Sequence, residues 1–167
     1  MATITMHGNQ LTLAGNPIKV GDSAPDFTVN NKDLGEVKLS DFKGKTVILS
    51  IFPSIDTPVC ATQTRIFNQK AVDLSDDVVV LTISKDLPFA LARFCAAEGI
   101  DRVHTLSDYK ANDFGNKYGF LINELQLLAR GVVVVDKNGT VQYVEYVSEM
   151  TNEPNYDNVL DAVSKLK

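Results

Sequence analysis

The stretch TVILSIFPSIDTPVCA, residues 46–61, decides how the chain is read. Its first seven residues form an unbroken apolar and β-branched run, the pattern of a central strand covered on both faces. The stretch then ends in a helix start. Thr57 is a competent N-cap residue, and Pro58 suits the first helical position because its missing N–H would lack a partner there anyway. Cys60 therefore falls in the first turn, where unpaired amides and the positive end of the helix dipole favour a thiolate over a thiol. The thiolate is the nucleophilic form of cysteine, so this position favours reactivity. The competing reading is a small apolar residue packed into the first turn, a common fate of cytosolic thiols. Location argues against it, since α/β proteins place their sites where strands give way to helices.

Working outward, residues 78–84 (VVVLTIS) and 128–136 (LARGVVVVD) are two further buried strands. Helices are expected over 58–71 and over 88–98, the latter with Pro88 at its start and Gly99 just past its end. Shorter elements are expected as strands at 26–29, 35–39 and 103–106, a turn at Ser40-Asp41, and a helix at 112–118. Residues 3–7 and 10–13 alternate around Gly8-Asn9 as a small hairpin, and residues 16–25 read as loop. The DKNG turn leads into a strand at 141–147 that pairs back antiparallel, and an amphipathic helix closes the chain at 156–166. Strands alternating with helices indicate a mixed central sheet flanked by helices. Without a repeat or linker, residues 1–167 form one domain.

Composition excludes several classes. The formal net charge is −5 and the pI about 4.9, which disfavours nucleic acid and anionic membrane as partners. No apolar run approaches the roughly 18 residues that span a bilayer. The first fifteen residues lack a basic segment and an apolar block, so they do not read as a signal peptide. Asn138-Gly139-Thr140 fits a glycosylation sequon but is better read as a turn. The expected compartment is the cytoplasm, where structural disulfides are rare. The two cysteines are then inert core thiols or a redox pair.

FPSIDTPVCATQTRIFN (52–68) resembles the active-site segment of the peroxiredoxins, Pro-x-x-x-Thr-x-x-Cys, with Pro53, Thr57 and Cys60 at the right spacing. DLPFALARFCAAEG (86–99) and TNEPNYD (151–157) extend the resemblance to bacterial thiol peroxidases, an atypical two-cysteine subfamily, over essentially the whole chain. The resemblance implies a thioredoxin-like fold with an added N-terminal β-hairpin. It implies a peroxidase using no metal and no other cofactor, in which Cys60 attacks the terminal oxygen of hydrogen peroxide or an organic hydroperoxide and becomes a sulfenic acid. Thr57 then directs its hydroxyl at sulfur and peroxide, and Pro53 shields the sulfur. The sequence is compatible with Thr57 capping the helix, serving the sulfur, or using its lone pairs for one and its proton for the other.

Arg130 matches the family's third catalytic position, where it stabilises the thiolate and orients the peroxide. It opens a very apolar strand, where a buried guanidinium needs an anionic or well hydrogen-bonded partner. Taken alone, it reads equally as a strand-end Arg paired with a surface carboxylate. Arg65, five residues after Cys60, is a further candidate for the pocket. Cys95, by spacing alone, lies with Leu87, Leu91 and Phe94 on the apolar face of its helix and reads as core. The resemblance makes it the resolving thiol, which condenses with the sulfenic acid to a Cys60–Cys95 disulfide. Two helical cysteines rarely bring their Cα atoms within the roughly 4.4–6.8 Å a disulfide needs, so local unwinding is expected on oxidation. The resemblance also implies thioredoxin as reductant, a homodimer and a role in antioxidant defence. Apolar residues of YGFLINELQLLA (118–129) are candidates to line the pocket or the dimer interface and to favour bulky hydroperoxides.

Other readings fare worse. LSDFKGKT (39–46) resembles the end of a P-loop, but Leu39 replaces the first glycine and a strand, not a helix, follows. His7, Cys60, Cys95 and His104 lack metal-ligand spacing. A thioredoxin-type Cys-x-x-Cys would need a cysteine where Thr57 stands. A non-turnover peroxide sensor and a redox-inert thioredoxin-fold binding module are the alternatives from other classes; peroxide turnover separates them from an enzyme.

Overall fold

The computed structural model describes residues 2–71 and 73–166. A hairpin of β1 (Thr3–Met6) and β2 (Asn9–Thr12) comes first, followed by β3 (Thr28–Asn30) and β4 (Glu36–Lys38). The central run becomes β5 (Thr46–Ile51) and leads into α1 (Pro58–Ala71). Then come β6 (Val78–Ser84), α2 (Pro88–Glu98), β7 (His104–Ser107) and α3 (Asp113–Tyr118). Strands β8 (Gly131–Val135) and β9 (Val141–Tyr146) precede α4 (Tyr156–Ser164).

The sheet runs β4-β3-β7-β6-β5-β8-β9, parallel across β5, β6 and β7 and antiparallel elsewhere. All six residues of β5 are buried, which accounts for its unbroken apolar run. Val47, Leu49 and Ile51 face a core with Phe27, Phe114, Tyr118 and the hairpin residues Ile4 and Leu11. Ile48 faces the opposite core, with Phe67 of α1 and Val159 and Val163 of α4. Helix α2 ends as its sequence predicts: Gly99 takes a left-handed conformation (φ 66°) and closes on the Cys95 carbonyl. No helix among the described residues is long and apolar enough to cross a membrane.

Gly131 lies between Ile51 and Tyr146 in neighbouring strands. A methyl group there would strike the Glu145 carbonyl oxygen and come within 2.7 Å of Phe120 Cε1. Gly131→Ala is expected to cost about 2–4 kcal/mol, read as a lower urea midpoint at unchanged slope.

Several boundaries differ from expectation. The hairpin turns at His7-Gly8 (φ 50° and 82°) rather than Gly8-Asn9, because the register that sets Ile4 opposite Leu11 pairs Asn9 with Met6. Strand β3 begins at Thr28, since Asp26 accepts hydrogen bonds from Ser40 instead. The expected Ser40-Asp41 turn is a 3₁₀ turn over Leu39–Phe42. Strand β7 lies one residue later, where Ser107 pairs with Asn30 and Ser84. Strand β8 begins only at Gly131, because Leu128 and Ala129 bond back to residues 120–121. Leu87, expected on the buried face of α2, precedes the helix and is 52% exposed. Phe120, Ile122, Leu128 and Ala129 fill the hairpin-side core, not a pocket, because this segment folds back on itself beneath Phe114. Only Leu125 of its large apolar side chains is exposed.

Candidate active site

Cys60 is the third residue of α1, fully buried among Phe52 at the end of β5, Ile55, and Leu91 of α2, with Phe94 against the group. Between strand and helix, the loop containing the buried Pro53 is fixed by its own polar groups. The amide and the hydroxyl of Thr57 both donate to the Ser54 carbonyl, at 3.2 and 3.0 Å. The Thr57 carbonyl accepts the Ala61 amide at 3.0 Å and so marks the helix start. The hydroxyl proton is committed to the Ser54 carbonyl rather than to the sulfur, and its lone pairs are left for other partners.

Arg130 stands immediately before β8 and is 3% exposed. Its Nε donates to the Met150 carbonyl at 3.0 Å and its Nη1 to Gln63 Oε1 at 2.9 Å. Gln63 Nε2 in turn donates to Ser50 Oγ at 2.8 Å and to the Ile51 carbonyl at 3.2 Å. Gln63 is fully buried and sits on the α1 face that also buries Cys60, Thr64 and Phe67. Through it, the guanidinium is tied to the cysteine helix. No carboxylate among the described residues lies within 4.0 Å of Arg130. The strand-end ion pair considered from sequence is therefore not what holds it. A buried cation held by neutral acceptors keeps its charge for an incoming anion.

Tyr156, at the start of α4, packs edge-on to Phe67 with ring centroids 5.4 Å apart. Burial raises its phenol above the usual tyrosine range, the Glu153 hydrogen bond adds to this, and the charges of Arg130 and Cys60 both reach it.

Cys95 lies in the last turn of α2, half-buried, with Sγ 3.5 Å from Thr105 Oγ1. It borders a cavity of about 470 Å³ that Phe42, Ile100 and Leu106 also line. Both thiols are free. Arg65 does not turn into the pocket. It forks onto Glu98 (3.2 and 2.9 Å) and lies over the Phe94 ring, because α2 passes beside α1 at that point.

Residues not anticipated from the sequence are Gln63, Ser54, Asp86, Tyr156 and the Met150 carbonyl. For Gln63 a signal existed: polar Gln63 and Thr64 stand between Cys60 and Phe67 at core-facing spacing. Asp86 accepts Ser54 Oγ at 2.8 Å and the Ile55 amide at 2.7 Å, anchoring the loop from the far side.

Residues 19–160 match the Redoxin family model. The chain is 56% identical to "Thiol peroxidase" of Oceanobacillus iheyensis, with 99% of this chain and 100% of that one covered. It is likewise 56% identical to "Thiol peroxidase" of Bacillus subtilis, covering 99% of each. Among solved structures, a peroxiredoxin-like protein from Aquifex aeolicus superposes with a TM-score of 0.94 at 42% identity, covering 100% of this chain and 98% of that one. The expected thioredoxin-like fold with a separate N-terminal hairpin is the one these relatives share.

Proposed function

Since the chain belongs to the Redoxin family and, within it, to the thiol peroxidases, we propose that it reduces hydrogen peroxide and organic hydroperoxides through Cys60. The thiolate attacks the terminal peroxide oxygen: an S–O bond forms, the O–O bond breaks, and the departing alkoxide or hydroxide takes up a proton. Cys60 is then a sulfenic acid, oxidised by the two electrons the peroxide has gained. The Cys95 thiol displaces its oxygen as water, giving an intramolecular disulfide. A dithiol reductant, thioredoxin by the family pattern, restores both thiols. Arg130 stabilises the thiolate and the developing oxyanion, the free lone pairs of Thr57 receive the peroxide hydrogen, and Pro53 keeps water from the sulfur. The protein acts as one domain and as a homodimer, in cytoplasmic antioxidant defence.

One observation carries this reading: a buried guanidinium without a carboxylate partner among the described residues, fastened through Gln63 to the helix whose first turn holds Cys60. Helix α2 supports the resolving step, since only Pro88 and Leu91 along it are buried and it can unwind at modest cost. Intact mass and thiol counting, before and after one equivalent of peroxide, test the proposal. Wild type is expected to lose both thiols to an internal bridge, and Cys95→Ser to gain one oxygen at Cys60. Unreacted thiols in both proteins would make Cys60 an inert core residue.

A further inference from the structure

Asp86 sits between β6 and α2, where neither the sequence motif nor the chemistry above calls for a carboxylate. Its Oδ1 accepts Ser54 Oγ, and its Oδ2 accepts the Ile55 amide and Ser84 Oγ, the last two at 2.7 Å. Its own carbonyl accepts Ser107 Oγ at the end of β7. Ser54 is the residue that takes both hydrogen bonds of Thr57 and also caps the Asp56 amide at 3.2 Å. One carboxylate therefore holds the segment that delivers Cys60. Two residues later comes Pro88, the first residue of α2, which carries Cys95 and lays Leu91 against Cys60.

We infer that Asp86 is a positioning residue that latches the Cys60 loop to the root of the Cys95 helix, so that the two segments are ordered together and released together. Beyond it, the two segments meet through Leu91 and Phe94, packed with Phe52, Ile55 and Cys60. Helix α2 buries only Pro88 and Leu91, while Leu87 and Phe89 at its start are 52% and 65% exposed. Two ion pairs cross the same seam, Arg93–Asp56 at 3.9 Å and Arg65–Glu98 at 2.9 Å. Both are solvent-exposed, and such pairs contribute little. Hydrogen bonds from amide and hydroxyl to a half-buried carboxylate are the stronger kind. The latch favours the first half of the reaction, which needs Cys60 held in its pocket. It opposes the second, which needs both segments to move.

This inference rests on the two-step reading, and two measurements separate their fates. Amide exchange of the reduced protein needs no turnover. In Asp86→Asn, protection at 54–60 and 88–95 is expected to fall together, with the β5–β8 amides unchanged. Ser54→Ala, which removes one of the latch bonds, is expected to do the same to a smaller degree. Stopped-flow kinetics then give the rates of sulfenic acid and disulfide formation. Sulfenic acid formation is expected to slow about 10- to 100-fold in Asp86→Asn, the loss typical of a misplaced reacting group, while disulfide closure holds steady or quickens. Loss of protection in one segment alone, or equal slowing of both steps with loosening across the sheet, overturns the latch. If wild type forms neither species the peroxidase reading fails, and the exchange measurement alone decides the latch, joint loss sustaining it and separate or absent loss refuting it.

Discussion

Cys60→Ser is expected to lower kcat/KM for hydroperoxide by more than about 10⁴-fold, the scale seen when a nucleophile is removed. A serine hydroxyl is essentially un-ionised at neutral pH, and nothing around residue 60 supplies the general base that serine nucleophiles require. The side chains packed directly with it in the apolar cluster are Phe52, Ile55, Leu91 and Phe94, none of which can take a proton. That setting also makes serine an imperfect control. A buried hydroxyl without a partner costs about 1–3 kcal/mol on mutational scales, so lost activity would be mixed with lost fold. Cys60→Ala avoids the stranded hydroxyl. Both variants, assayed at matched near-ultraviolet dichroism, are expected to be equally dead. Residual turnover above a hundredth of wild type in either one would move the nucleophile elsewhere.

The second large effect belongs to Arg130. Replacing it with Met keeps much of the stem and removes the charge, and Cys60 oxidation is expected to slow about 10²- to 10³-fold, as when one preorganised donor to a developing anion is deleted. Arg130→Lys is expected to recover little of this. The guanidinium spans two acceptors on different elements, the Met150 carbonyl and Gln63 Oε1, and a single ammonium on a flexible stem cannot hold that planar fork. Arg130→Lys leaves one buried acceptor short of its donor and Arg130→Met leaves both, at about 1–3 kcal/mol each. Single-turnover thiol loss under excess peroxide, at a temperature where both variants are folded, isolates the chemical effect. Arg130→Met within tenfold of wild type would exclude the guanidinium from the reaction.

What could be read from the sequence was whatever depends on neighbours along the chain. The apolar runs at 46–52 and 78–84 became the middle of the sheet, because a strand covered on both faces has no polar positions to spare. Pro88 and Gly99 bracketed α2 to the residue, since both act through local backbone geometry. The hairpin turn slipped by one residue because a core contact, Ile4 opposite Leu11, set the register. Thr57 stands at the helix start as its sequence suggested, but its hydroxyl proton goes to Ser54 rather than to the sulfur, a choice fixed by the fold of the loop between β5 and α1. The hydrogen-bonded frame around Arg130 was hidden most fully. The spacing of Gln63 hints at a core-facing position, but its partner appears only when Arg130 is brought to α1, and Met150 meets Arg130 only through a long excursion of the chain.

The Met150 residue has one more consequence. Its carbonyl receives Arg130, while its amide donates to the Thr5 carbonyl at 2.8 Å, and neighbouring Glu149 takes the Thr5 hydroxyl and the Gly8 amide. One peptide segment is therefore gripped from both sides, by the guanidinium and by the first hairpin of the chain. The hairpin lies far from the sulfur in sequence and looks dispensable as decoration on a common fold. Mechanically it is the wall against which the guanidinium is braced. Trimming the first dozen residues for convenience, or fusing a bulky tag that pries β1 loose, would thus amount to an active-site alteration made without touching an active-site residue.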